Sequence, residues 1–173
     1  MVRLAWKPPD RGDMRSKLVV GHNGRGPAGE ALIWAANEAK RRSTRLVVVY
    51  AANYPGMALP PGPGLWEREP GALDAAREVT DGGVSEVVAA HPELSVSGKT
   101  VVTSPVQALV EESEDASLLV VGSRGRGSAV TTAFLGSVSV VVAAAGRCPV
   151  VVVKPGCAET VPGAGSPVAI FPR

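Results

Sequence analysis

The chain is expected to fold as a doubly wound α/β domain: a five-stranded parallel sheet in the order 3-2-1-4-5, with helices on both faces, Rossmann-like. Three observations lead there. Five short aliphatic runs punctuate the sequence, and three of them (LVVVY, LLVVG and VVVV) are nearly continuous, as parallel strands covered on both faces require. Helical patterns separate the runs, and strict β-α alternation implies right-handed crossovers. With 173 residues, 45% apolar and 20% charged, the chain can bury one core and needs no disulfide or metal staple.

The first strand spans Lys17–Gly21, followed by a glycine-rich turn and Pro27 near a first helical position. The helix Ala28–Arg42 sets Leu32, Ala35, Ala36 and Ala39 on one face. Leu46–Ala51 is the second strand. Residues 53–71 are dense in proline and glycine and too long for an ordinary connection, so they read as a lid or an exposed loop. Ala72–Ala90 is helical, with Asp81-Gly82-Gly83 expected to weaken or kink it. Leu94–Val102 is the third strand. Ser104-Pro105 supplies a capping hydroxyl and a proline at the first helical position, and Val106, Leu109 and Val110 form the apolar face. Leu118–Gly122 is the fourth strand. The last helix opens at Gly136-Ser137 and stops at Gly146, and Val150–Val153 closes the sheet. The domain is thus expected over 16–156, with a flexible extension at 1–15 and a disordered tail at 157–173.

The net charge of +2 is too balanced for a nucleic-acid face. Lys40, Arg41, Arg42 and Arg45 are read as complementing a helix dipole. Cys148 and Cys157 offer no metal-ligand spacing; the first reads as a core residue and the second as a free thiol in the tail, both suited to a reducing compartment. No signal-peptide core opens the sequence, and no stretch reaches the roughly 20 apolar residues of a membrane span. A soluble, cytoplasmic protein is expected.

In a doubly wound sheet, ligands bind beyond the carboxyl ends of the strands where strand order reverses. Gly24-Arg25-Gly26-Pro27-Ala28-Gly29 matches the dinucleotide fingerprint G-x-G-x-x-G, but the acidic residue expected after the second strand is missing, since that strand ends Tyr50-Ala51-Ala52-Asn53. The stretch reads as a turn before a helix. The loop after strand four carries more. Gly122, Gly125 and Gly127 let backbone amides approach an anion, Gly136-Ser137 opens a helix, and Arg124 and Arg126 can neutralise phosphate charge. No P-loop motif occurs. Glu111, Glu112, Glu114 and Asp115 read as a solvated helix face, and no nucleophile–base set emerges, so neither catalytic residues nor a metal centre is expected.

The segment LVVGSRGRGSAVTTAFLGSVSVVVAAAGRCPVVVVK, Leu119–Lys154, resembles the closing motif of universal stress proteins, G-x2-G-x9-G-[ST] followed by a helix and a CPVVVV-like strand. The opening KLVVGHNG and the helix and strand after it are similar to that family's first β-α-β unit. The resemblance covers roughly residues 16–156. It implies that Gly122, Gly125, Gly136 and Ser137 hold the ribose and phosphates of ATP, with AMP or ADP as alternatives and Mg2+ as a companion ion. The Val138 amide would add a donor, while Gly21, Asn23 and the backbone near Ala51 would face adenine and ribose. It also implies a homodimer through the edge strand Val150, Val151, Val152 and Val153, which a charge at Val151 or Val152 would break. Two departures stand out. Ten residues, Arg126–Leu135, separate Gly125 from Gly136, one more than the family spacing, and Asn23 stands where ATP-binding members carry Asp.

The function expected is that of a regulatory stress-response module binding adenine nucleotide and answering to a regulatory protein partner. The alternative is a dimeric interaction module with a degenerate, nucleotide-free pocket. Slow ATP hydrolysis ranks last.

Overall fold

The computed structural model describes residues 17–24, 27–52, 71–123, 136–157 and 169–171, with backbone alone for 27, 28 and 169–171. The expected lid over 53–71, apart from Gly71, and the extension 1–15 lie outside the described residues. The strands are β1 (Lys17–Gly21), β2 (Arg45–Ala51), β3 (Val96–Val101), β4 (Ala116–Gly122) and β5 (Val150–Val153). The helices are α1 (Pro27–Arg42), α2 (Ala72–Ala90), α3 (Pro105–Glu112) and α4 (Ser137–Ala145). The five strands are parallel in the order 3-2-1-4-5. In register, Val20 lies between Val48 and Val120, and Val120 also pairs with Val151.

The alternation along each strand explains the two-sided core. Leu18, Val20, Leu46, Val48, Leu118, Val120, Val151 and Val153 meet α1 and α2 on one face. Val19, Val47, Val49, Leu119, Val121, Val150 and Val152 meet α3 and α4 on the other. Each fully buried aliphatic side chain stabilises the fold by about 1.5–3 kcal/mol. The edge strand β3 (VSGKTV) is largely exposed and correspondingly polar.

A sixth strand, β6 (Ala169–Phe171), runs antiparallel along the outer edge of β5. This corrects the expectation of an unstructured tail from 157 onward and of an unprotected β5. The β5 edge presents amides and carbonyls that β6 pairs, and Ala169-Ile170-Phe171 suits a strand. Cys157 is likewise buried, at 4% exposure, and its amide donates to Glu30 Oε2 at 3.0 Å.

Local chemistry follows the sequence at most helix ends. Ser104 Oγ accepts from the Gln107 amide at 3.2 Å, with Pro105 behind it. The basic end of α1 is neutralised by carboxylates: buried Glu38 receives Arg41 and Arg42 at 2.5 Å each, and Lys40 pairs with Glu93 at 2.7 Å. Three details differ from expectation. Gly146 ends α4 without a left-handed turn (φ −58°); a Cβ there would lie 2.8 Å from the Val142 carbonyl and from Val150 Cγ2. α2 runs through Gly82-Gly83 as one helix, and Gly83 is pressed against His22, which a Cβ would approach to 2.9 Å. Glu112 is buried rather than solvated. It takes Lys17 at 2.8 Å and also Lys99, while Asp115 takes Lys17 at 2.7 Å.

Candidate functional site

β1 and β4 are neighbours whose chains leave in opposite directions, β1 toward α1 and β2, β4 toward α4 and β5. Their carboxyl ends therefore flank the crevice where strand order reverses. Gly21 and Asn23 come to this end from β1. The ladder continues past it, since the His22 amide donates to the Val49 carbonyl at 2.9 Å. A Cβ on Gly21 would stand 3.1 Å from Leu109, so the strand end lies close over α3. Ala51 ends β2, paired with Val101.

From β4 the chain reaches Gly122 and Ser123. The Ser123 amide donates to the Val153 carbonyl at 2.8 Å, and its carbonyl accepts from the Gly136 amide at 2.6 Å. Ser139 Oγ, buried in the first turn of α4, donates to the Gly122 carbonyl at 2.7 Å. These bonds lock the amino end of α4 to the end of β4. Gly136 is the cap, extended at φ −64° and ψ 154°. Ser137 is exposed and Val138 half-buried. The first-turn amides of a helix have no intrahelical acceptor, and the dipole there favours an anion. The arrangement can hold a phosphate or another oxyanion. Arg124, Gly125, Arg126 and Gly127 lie outside the described residues.

A cavity of about 580 Å³ opens beside this crevice, between the β1–α1 turn, the end of β2 and α2. Asn23 lines it together with His22, Tyr50, Gly83, Glu78 and Glu86. Of the described residues expected to bind nucleotide, Asn23 alone lines this cavity, beside Gly24, Gly29 and Gly82. Gly122, Gly136, Ser137 and Val138 gather at the β4–α4 junction instead. The anion-favouring groups thus lie at the β4–α4 junction, whereas Glu78 and Glu86 line the cavity beside the crevice. Gly24 adopts φ +76°, a turn conformation that glycine tolerates, while Gly29 has open space around it rather than the close helix–strand packing of a dinucleotide fingerprint. Sequence reasoning missed Gly83 and the two α2 glutamates; a glycine pair inside a helical pattern was the signal available for the close approach.

The family model described as "Universal stress protein family" matches residues 14–154. The chain belongs to the universal stress protein family. A universal stress protein of Mycobacterium tuberculosis is 36% identical over 141 residues, which is 79% of this chain and 47% of that protein. A Mycolicibacterium smegmatis universal stress protein is 36% identical over 144 residues, covering 83% and 47%. The chain spans about half the length of the curated relatives it matches. Among solved structures, a universal stress protein in complex with cAMP has a TM-score of 0.57 at 24% identity, covering 81% of this chain and 97% of that one. A universal stress protein from Archaeoglobus fulgidus in complex with dAMP has a TM-score of 0.61 at 22% identity, covering 82% and 99%. These likenesses confirm the universal stress protein fold.

Proposed function

We propose that this universal stress protein binds an adenine nucleotide across the β1/β4 crevice as a regulatory signal of the stress response. The observation that carries the reading is the Ser123–Gly136 hydrogen bond, which holds the amino end of α4 over the end of β4 whatever the length of the loop between them. The phosphates would sit on the first-turn amides and the Ser137 hydroxyl, beside Gly122 and the loop carrying Arg124, Gly125, Arg126 and Gly127. The base and ribose would lie toward Gly21, Asn23 and Ala51. The nucleotide-bound neighbours support an adenine ligand, and ATP is the form proposed, with AMP and ADP as competitors.

Gly21, Asn23, Gly122, Ser123, Gly136, Ser137 and Val138 bring no side-chain carboxylate to the crevice. A Mg2+ ion would accordingly be held through the phosphates of the nucleotide. The protein would act in the cytoplasm and answer to a regulatory protein partner. Among the described residues, no helix is long and apolar enough to cross a membrane.

Two copies are proposed to pair through the β5 edge when β6 does not occupy it. The side chains of Val150–Val153 are all at or below 1% exposure. Their contribution to a dimer would run through the backbone, and a charge at Val151 or Val152 would break the core as well as any interface.

Calorimetric titration of nucleotide-free protein with ATP, with and without Mg2+, tests the reading. Saturable binding weakened by Gly122→Val and Ser137→Ala supports it. No heat at millimolar ATP would sink it, in favour of the nucleotide-free interaction module that Asn23 favours.

A further inference from the structure

We propose that β6 is an intramolecular cap on a self-association surface formed by the outer edge of β5 and the outward face of α4, and that a second copy of this chain takes the place of β6 when β6 leaves. The inference deepens the pairing of β5 proposed above and rests on it.

The first observation is the thinness of the cap. Val150 pairs with Phe171, Val151 with Ile170 and Val152 with Ala169, while Val153 has no register partner on β6. Three residues lie at the short end of strand lengths and bring few hydrogen bonds. The cap is joined to β5 by residues 154–168, so it holds its place through the effective concentration that a tether confers. A second β5 arriving about a two-fold axis would run antiparallel to the first, as β6 does, and could span all four valines.

The second observation is α4. Its sequence SVSVVVAAA carries no charge, and it packs against β5 and α3 through Ser139 and Val142. Its outward side nevertheless shows Val140 at 49% and Val141 at 44% exposure, beside exposed Ala144 and Ala145. An apolar helix surface of this kind marks a contact site. Because α4 adjoins β5, a two-fold axis at the β5 edge sets the two α4 faces side by side. A face without charge can meet its own copy about a two-fold axis with no like charges opposed, which is why a second copy is the occupant argued for.

Sedimentation equilibrium of the 173-residue chain is to be compared with that of the variant Ala169→Pro, Ile170→Pro, Phe171→Pro. Those changes remove the three β6 amide donors and leave β5 and α4 untouched. The expected result is a monomer for the unchanged chain and a dimer for the variant, with self-affinity raised about tenfold or more. A peptide of residues 166–173 should return the variant to monomer, and Val141→Lys in the same background should abolish the dimer. If both chains stay monomeric with native circular dichroism, the cap and the β5 pairing fall together. If both dimerise equally and Val141→Lys separates them, the pairing stands and the cap is overturned. A chain ended at residue 166 provides a second variant. Unfolding of both variants would also overturn the proposal, because a cap is dispensable to the domain it covers.

Discussion

The amide of Gly136 donates to the carbonyl of Ser123 across a span of chain that crosses from β4 to α4, at 2.6 Å. The bond joins the two glycine-rich halves of the motif at its ends. The family spacing is exceeded between Gly125 and Gly136, inside the loop that this bond closes. Deleting one residue between Arg126 and Leu135 should therefore change stability by less than about 0.5 kcal/mol, since closure entropy varies slowly with loop length. Urea unfolding measures it; a loss of more than about 2 kcal/mol would show that the loop itself holds the domain together.

Gly82 and Gly83 make a paired test of why α2 contains glycine. A Cβ at Gly82 meets nothing within 4 Å, so Gly82→Ala should stabilise by about 0.5–1 kcal/mol through helix propensity. At Gly83 the same methyl meets His22 at 2.9 Å and Val48 at 3.3 Å, so Gly83→Ala should cost about 1–3 kcal/mol. Thermal melts of the two variants should move in opposite directions. Equal shifts would refute the contact with His22.

The Lys17–Glu112 pair should shape the acid limb of stability. Burial pushes the Glu112 carboxyl upward, but hydrogen bonds from Lys17 and Lys99 and their charges more than offset this and hold it below its ordinary 4.5. Its contribution is complete above the unfolded-chain value and is lost as pH falls through the lower folded one. Lys17 behaves conversely. Burial lowers its pKa, hydrogen bonds to Asp115 and Glu112 and their charges more than offset this, and its contribution is lost only as pH climbs through a value above 10.5. Glu112→Gln should cost about 3 kcal/mol at neutral pH and flatten the loss of stability below pH ~4.5. An unchanged acid slope would show the carboxylate to be energetically silent.

Burial pushes the Cys148 thiol up to about 11, and Cys157 is 4% exposed. Neither should react with a disulfide reagent at mildly alkaline pH until the chain is unfolded. A native-state titration that consumes a thiol at the unfolded rate would contradict the packing around both.

Ser104→Ala should remove the cap of α3 at a cost of about 0.5–1 kcal/mol, the lower end of the usual range because the site is exposed. Ser104→Asn should recover most of the loss, and no recovery would mean that the hydroxyl acts elsewhere.

The sheet was legible because its signal is local. Val19, Val20, Val47, Val48, Leu119 and Val120 are buried on both faces, and continuous aliphatic runs state that directly. Ser104-Pro105 and Gly136-Ser137 were legible as helix starts for the same reason. Contacts between distant residues were not. Nothing around Glu112 announces that Lys17, far away in sequence, will draw it out of water. The press of His22 on Gly83 exists only once α2 packs over β2 and β3, beside the end of β1. β6 was hidden by its shortness: three residues after a proline- and glycine-rich stretch carry no periodicity, and the β5 edge that pairs them is formed elsewhere. The motif for the site was readable, whereas the cavity beside it depends on Tyr50 of β2 meeting Glu78 and Glu86 of α2.

The central place of β1 has a consequence for synthesis. Its left neighbour, β2, emerges from the ribosome soon after it, but its right neighbour, β4, begins only at Ala116. From the completion of β1 at Gly21 until Ala116 is made, the strand destined for the middle of the sheet has one open flank. The nascent domain cannot complete itself from its amino end; it must hold an aliphatic ribbon exposed until Leu118–Val121 arrives. An order in which the middle strand waits longest for its second neighbour favours chaperone contact during translation rather than after it.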